Sequence, residues 1–309
     1  MTDNSSARIA DDILREVADL RQRVDKIYDF LKVVNNHTLN EILLLSRETR
    51  ITSSQTKSLQ STYHHDLLLL IDRLRSFLPE PELVVDTERP FALDSDDFRH
   101  PLGSANDDLR SPEFVRACEN HFARKLNYLD IGCSGGGVVF DFILRGHKAV
   151  GIDGSDYPLR RQLGEWRILD GHLMTCDITA PFRLRRKDCS ATQQFDVISA
   201  WEVLEHLAET DIETALANVR QHLADDGLFV GSVATYLHED PSTGAVYHLT
   251  VEGPAWWEER FRKSGLEFTD SHPFDRVTLC RGAGHGPTDL DYFARPDMGF
   301  HFVAKRSQA

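Results

Sequence analysis

Leu129-Asp130-Ile131-Gly132-Cys133-Ser134-Gly135-Gly136-Gly137, followed one helix length later by Ala149-Val150-Gly151-Ile152-Asp153, decides the fold of this chain. The first stretch reads as a short apolar strand entering a glycine turn, and the second as another strand that ends in an acid. Glycines let backbone come close to a ligand, and the helix after such a turn presents its positive end there. Asp153 stands where a carboxylate accepts hydrogen bonds from two ribose hydroxyls. Strand, turn, helix and acid-ended strand together make a nucleoside-binding crevice. The dinucleotide fingerprint G-x-G-x-x-G is not met, because the glycines after Gly132 come three, four and five positions on, so a pyrophosphate is the weaker ligand.

Alternation continues downstream. Met174-Thr175-Cys176-Asp177-Ile178 places another acid after a short strand, and Phe195-Asp196-Val197-Ile198-Ser199-Ala200-Trp201 is an apolar run followed by Glu202-Val203-Leu204-Glu205-His206-Leu207. A helix over residues 212–223, a turn at Asp225-Asp226-Gly227 and a strand over 228–234 come next. Another helix over 254–263, stopped by Gly265, precedes strands near 266–274 and 299–304. Repeated strand-helix units predict a parallel sheet covered on both faces. Ahead of them, Ser111-Pro112-Glu113 signals a helix start, with Ser111 as cap and the helix running to about Arg124.

With these residues set out, the pattern resembles class I S-adenosylmethionine-dependent methyltransferases of the type 11 and type 23 groups. Their first motif, D-x-G-C-x-x-G, is matched by Asp130, Gly132, Cys133 and Gly135. The resemblance implies an α/β, Rossmann-like seven-stranded sheet with helices on both faces and an antiparallel last strand. It further implies S-adenosyl-L-methionine as cofactor, with backbone contacts to the methionine portion from Gly132 to Gly135. Asp153 would bind the ribose and Asp177 the adenine amino group, while Ile178 or Trp201 closes the adenine side. Asp130 would orient the turn or meet the methionine amino group, and the helix that starts at Ser111 would lie over the crevice.

On the acceptor side, Glu202, Glu205 and His206 are spaced to share one face at a helix start, and His248 lies in the loop after the fifth strand. Similar enzymes that methylate sugars and small hydroxylated molecules use a histidine here as base, and imidazole suits that role near neutral pH. His248 and His206 are therefore the catalytic candidates. Glu202, Glu205, His206 and His248 also resemble, in type and order, the magnesium ligands of small-RNA 2′-O-methyltransferases, which keeps a Mg2+ site as an alternative. Trp256 and Trp257 suggest sugar stacking or core, and His285 and Tyr292 precede the last strand where relatives shape acceptor pockets.

The expected activity is O-methylation of a sugar, glycan intermediate or hydroxylated small molecule. A metal-dependent RNA 2′-O-methyltransferase or tRNA methyltransferase, and a non-catalytic cofactor-binding scaffold, are the rival readings. A formal charge of −14 opposes a polyanionic partner, and the basic runs Arg160-Arg161 and Arg183 to Lys187 read as solvated turns or helix ends.

The remaining sequence sets the domain plan. Ile13, Val17, Leu20, Val24, Ile27, Leu31 and Val34 form a heptad seam, so residues 1–78 are expected to be a helical coiled coil through which copies self-associate. Pro79-Glu80-Pro81 breaks the helical pattern, residues 79–110 read as a linker, and residues 111–309 as the catalytic domain. The five cysteines show no C-x-x-C pair, and no stretch is apolar for long enough to cross a bilayer. A cytoplasmic protein with reduced thiols is the expectation.

Overall fold

The computed structural model describes residues 78–106, 109–285 and 289–307, which lie in one compact unit, Leu78–Ala309. The expected coiled coil of residues 1–78 lies, up to Phe77, outside the described residues. In chain order, β1 (Leu83–Thr87) precedes two short helices, α1 (Asp96–Arg99) and α2 (Gly103–Asn106), and then α3 (Pro112–Phe122). There follow β2 (Asn127–Ile131), α4 (Gly137–Leu144), β3 (Lys148–Asp153), α5 (Tyr157–Arg161), β4 (Leu173–Thr175) and β5 (Phe182–Arg186). The second half holds β6 (Phe195–Trp201), α6 (Glu209–His222), β7 (Leu223–Ala234), the hairpin β8 (Glu239–Asp240) and β9 (Ala245–Val246), α7 (Pro254–Lys263), β10 (Leu266–Phe268) and β11 (Gly299–Arg306).

Seven strands form the main sheet in the order β10-β11-β7-β6-β2-β3-β4. From β7 to β4 neighbours are parallel, whereas β11 runs antiparallel to both β7 and β10, as the resemblance implied. The chain winds from β2 outward through β3 and β4, then returns to the other side of β2 for β6 and β7. Strand order therefore reverses between β2 and β6, and at such a point a crevice opens at the carboxyl ends. Every residue of β6 is buried, consistent with helices on both sheet faces. At Gly231 of β7 an added Cβ would stand 1.9 Å from the Ala200 carbonyl oxygen, so the β6–β7 contact requires glycine there.

Several expectations are corrected. Residues 79–110 are no plain linker: Leu83 to Thr87 pair with Arg186 to Phe182 as an antiparallel ladder, with Leu83 and Val85 packed on the core. The basic run at Arg183 is therefore strand β5, and its charges face acids on and just before β1, Arg185 to Asp86 at 2.7 Å and Arg186 to Glu82 at 3.0 Å. Ser111 makes no side-chain cap; its amide instead donates to Asp141 Oδ2 of α4 at 2.7 Å, while Arg110 donates to Oδ1 of the same carboxylate. Helix α3 consequently packs by Phe114 against Tyr128, Phe142 and Trp201. Asp225-Asp226-Gly227 do not end an element either: register jumps from Phe195↔Leu223 to Val197↔Leu228, so they loop out within β7.

The close β6–β7 approach yields a stability prediction. Gly231→Ala should lower the denaturant midpoint by the equivalent of about 1–3 kcal/mol, the range for overpacking a tight core. Equilibrium urea unfolding checks it, and an unchanged midpoint would contradict the contact.

Candidate active site

The glycine turn after β2 is knit into the protein. Gly132 has φ +68° and a Cβ there would come within 2.4 Å of Val203, while Gly136 has φ +84° and faces Leu173 at the same distance. The amides of Gly132 and Cys133 donate to the Ile152 carbonyl at 2.8 and 3.1 Å, and that of Ser134 to Asp153 Oδ2 at 2.8 Å. Gly136 donates to the Cys133 carbonyl. Of the donors expected to meet the methionine portion, those of Gly132, Cys133 and Ser134 are thus engaged within the protein, and the turn also gives a ligand close approach. The Cys133 side chain faces Gly151 beneath the turn, and burial pushes its thiol pKa well up.

Three acids surround this turn. Asp130 is buried and accepts from Ser199 Oγ at 2.6 Å, Ser199 in turn meeting the Tyr128 hydroxyl. Asp153, at the end of β3, is also buried and accepts the Ser155 amide on Oδ1 at 2.8 Å. An ionised carboxylate accepts about four hydrogen bonds, so amide contacts leave such a group able to take ribose hydroxyls as well. Asp177 binds Thr179 through Oδ1 and pairs with Arg89 through Oδ2 at 2.7 Å. Ile178 and Trp201 are buried beside them, and Trp201 Nε1 has no hydrogen-bond partner among the described residues. A buried donor without acceptor, close-approach glycines and two acids at adjacent strand ends fit S-adenosylmethionine.

Residues 89–106, which sequence reading left in the linker, run over these strand ends as a strap. Arg89 meets Asp177 beyond β4, and the Ala92 amide donates to the Gly154 carbonyl beyond β3 at 2.9 Å. Ser134 Oγ donates to the Gly103 carbonyl at 3.0 Å. Beyond β7, the Val246 amide donates to Asp96 at 2.7 Å and the Tyr247 hydroxyl to the His100 carbonyl at 2.9 Å. This strap thus crosses the carboxyl ends of β4, β3, β2 and β7 in turn.

The acceptor-side residues come together, though not on a helix face. Glu202 has φ +55°, Leu204–His206 form a single tight turn, and α6 begins only at Glu209. The three residues therefore do not share one helix face, and Glu202 is turned to a different partner from Glu205 and His206. Glu202 accepts the Tyr292 hydroxyl at 2.5 Å, and Glu205, fully buried, accepts the Ala234 amide at 2.8 Å. His206 lies edge-on to His248 with ring centroids 5.0 Å apart. Around His248 stand Tyr236 at 4.9 Å and His238 at 5.1 Å, neither singled out by sequence. Their i,i+2 spacing at the end of β7 would have placed both on one side of an extended chain.

Burial sets the protonation states here. It lowers His248, and together with the His248 charge it lowers His206 to about 4, against a smaller raising effect from Asp97 on α1. Glu205 is raised well above the carboxylate range by burial and then by the Glu202 charge. The surroundings thus favour the uncharged forms of His206 and His248 and disfavour charge on Glu205. Trp257 is core, whereas Trp256 stacks under Arg260 at 4.5 Å, and His285 binds the Leu279 carbonyl. Neither tryptophan nor His285 joins the cluster.

A depressed imidazole pKa means that the unfolded chain binds the extra proton first, so His206 costs stability as pH falls from about 6.5 towards about 4. His206→Gln removes that term. The melting-temperature gap between wild type and variant should therefore move in the variant's favour on acidification across this window; a gap that stays constant with pH would show His206 to be solvated.

Comparison with known proteins agrees with this geometry. Residues 129–229, from β2 into β7, match a family model described as a methyltransferase domain. A ubiquinone biosynthesis O-methyltransferase from Roseobacter denitrificans is 28% identical over 193 residues, spanning 62% of this chain and 69% of that protein. Among solved structures, a TehB-like SAM-dependent methyltransferase from Corynebacterium glutamicum is 19% identical, with 68% of this chain and 94% of that chain covered and a TM-score of 0.40. The 1,6-didemethyltoxoflavin-N1-methyltransferase of Burkholderia thailandensis is 18% identical, with coverages of 69% and 84% and a TM-score of 0.41. The matched segment, which holds the glycine turn and the acid-ended strands, supports a class I S-adenosylmethionine-dependent methyltransferase.

Proposed function

We propose that this protein transfers a methyl group from S-adenosylmethionine to a hydroxyl of a sugar, glycan intermediate or other hydroxylated small molecule, with His248 as general base. The observation that carries this reading is the neutral imidazole pair of His248 and His206, 5.0 Å apart beside the strap-covered crevice. His248 Nδ1 lies 2.7 Å from the Tyr236 carbonyl, an acceptor, so Nδ1 carries the proton and Nε2 is left basic. A hydroxyl proton can then pass to Nε2 as the oxygen attacks. The bound cofactor supplies a methyl group on a sulfonium centre. Asp153 holds the ribose, Asp130 orients the turn, and the strap keeps water out, so that positioning lowers the barrier by about 7–11 kcal/mol when the geometry is near attack. The O-methyltransferase named among the relatives supports a hydroxyl acceptor.

One observation favours a second reading. Glu205, His206 and His248 offer ligand atoms within 4.8 Å of one another, and Glu205 Oε2 is buried with no hydrogen-bond partner among the described residues. Glu202, the fourth member of the expected magnesium set, is instead engaged by Tyr292. One carboxylate with two imidazoles suits Zn2+, Mn2+ or Fe2+ better than Mg2+, which prefers an oxygen shell.

Incubation with methyl-labelled cofactor and a cell extract fractionated into glycans, small metabolites and RNA tests the proposal, with label expected in the first two fractions. His248→Ala should lower turnover about 10²–10⁴-fold with cofactor affinity kept, and Asp153→Ala should weaken cofactor binding strongly. Unchanged turnover in the former removes His248 as base. Label in RNA, with turnover lost to a chelator and restored by Mn2+, would favour the metal reading.

A further inference from the structure

Asp177 follows β4 at the edge of the crevice, and its carboxylate is already committed. Oδ1 accepts the Thr179 amide at 2.9 Å and the Thr179 hydroxyl at 2.6 Å. Oδ2 is buried, accepts no hydrogen bond of ordinary geometry among the described residues, and lies 2.7 Å from the Arg89 guanidinium. The base amino group expected at this acid therefore meets an oxygen whose open side the guanidinium occupies. Arg89 is fastened there by its main chain as well, its carbonyl accepting the Asp177 amide at 3.0 Å and its amide donating to Thr87 Oγ1 at 3.0 Å. With the backbone held from both sides, the guanidinium is the part free to leave. Its side chain is 46% exposed, and a second carboxylate, Asp94, 88% exposed, stands 3.8 Å away on the solvent side.

We propose that Arg89 competes with the adenine base for Asp177, swinging to Asp94 when the nucleoside binds, and so sets cofactor affinity. The proposal rests on the reading of the crevice as a nucleoside site with Asp177 at the adenine. Two stations of like charge make the exchange nearly balanced: the guanidinium keeps a carboxylate partner at either one, and the 6-amino group replaces it as donor to the buried Oδ2. Binding nonetheless carries the difference between a buried and an exposed ion pair, because the exposed one is worth little. Without Arg89 that difference vanishes, and the buried carboxylate gains its missing donor only from the ligand.

Calorimetric titration of the full-length protein with S-adenosylhomocysteine is the test. Arg89→Ala should bind it about threefold to tenfold more tightly than wild type, the range expected from releasing one partly exposed ion pair. S-inosylhomocysteine, in which an oxygen replaces the 6-amino group, should show no such gain. Asp94→Asn should weaken S-adenosylhomocysteine binding, since the guanidinium loses its second station. If Arg89→Ala does not fold, Arg89→Gln removes the charge while keeping the stem. Unchanged or weaker binding in the variant, or an equal gain for both nucleosides, overturns the proposal while leaving the nucleoside site intact. Absence of S-adenosylhomocysteine uptake by wild type overturns the site reading and the proposal with it.

Discussion

The bond from the Ser134 amide to the buried Asp153 carboxylate is the constraint on which the crevice depends. Ser134 has φ +42°, a left-handed conformation that costs a non-glycine residue about 1–3 kcal/mol. A hydrogen bond to a charged group contributes about 1.5–3 kcal/mol, enough to offset it. Two more bonds converge on the same residue: Trp166 Nε1 donates to its carbonyl at 2.6 Å, and its hydroxyl reaches the strap at Gly103. The end of β3, the turn after β2, the Trp166 segment and the strap are thereby fixed to one point. Asp153 gains too, because a buried carboxylate without donors would shift towards its neutral form. A single strained serine and a single buried acid thus stabilise each other, and the ligand-facing surface is built around the pair.

Across the sheet the electrostatic design is the opposite. On the nucleoside side the acids accept from amides and hydroxyls and pair with a guanidinium. On the acceptor side Glu205 has one amide donor and a like-charged neighbour, and the histidines have mostly one another and aromatic rings. Desolvation dominates there and disfavours charge on Glu205, His206 and His248.

What the sequence made legible follows from how local each feature is. The turn from Gly132 to Gly137, the acids at the ends of β2, β3 and β4, and helix Pro254–Lys263 are written in contiguous residues whose chemistry allows few alternatives. The expected antiparallel last strand also stands. Strand β1 was missed because Leu83 to Thr87 is too short to show a period and acquires its meaning from β5, about a hundred residues later. The basic run on β5 looked solvated for the same reason, since its acidic partners lie far off in sequence. Reading Glu202, Glu205 and His206 as one face assumed helical geometry that the φ of Glu202 interrupts. His238 and Arg89 carry no motif at all; only tertiary placement brings them to the site.

The short ladder between β1 and β5 has a consequence larger than its size. Its ion pairs lie at the surface and contribute little. Register is instead held by the backbone ladder and by Leu83 and Val85, which pack on the cluster that includes Ile178, Phe182 and Leu184. Fixing Thr87 opposite Phe182 delivers the next residues to the carboxyl end of β4, where Arg89 finds Asp177. From there the strap can cross β3, β2 and β7 in turn, because each contact shortens the loop left to close before the next. Cover over the crevice therefore runs from the nucleoside edge towards the acceptor edge, and the strap that follows β1 carries Asp97, whose charge acts on His206.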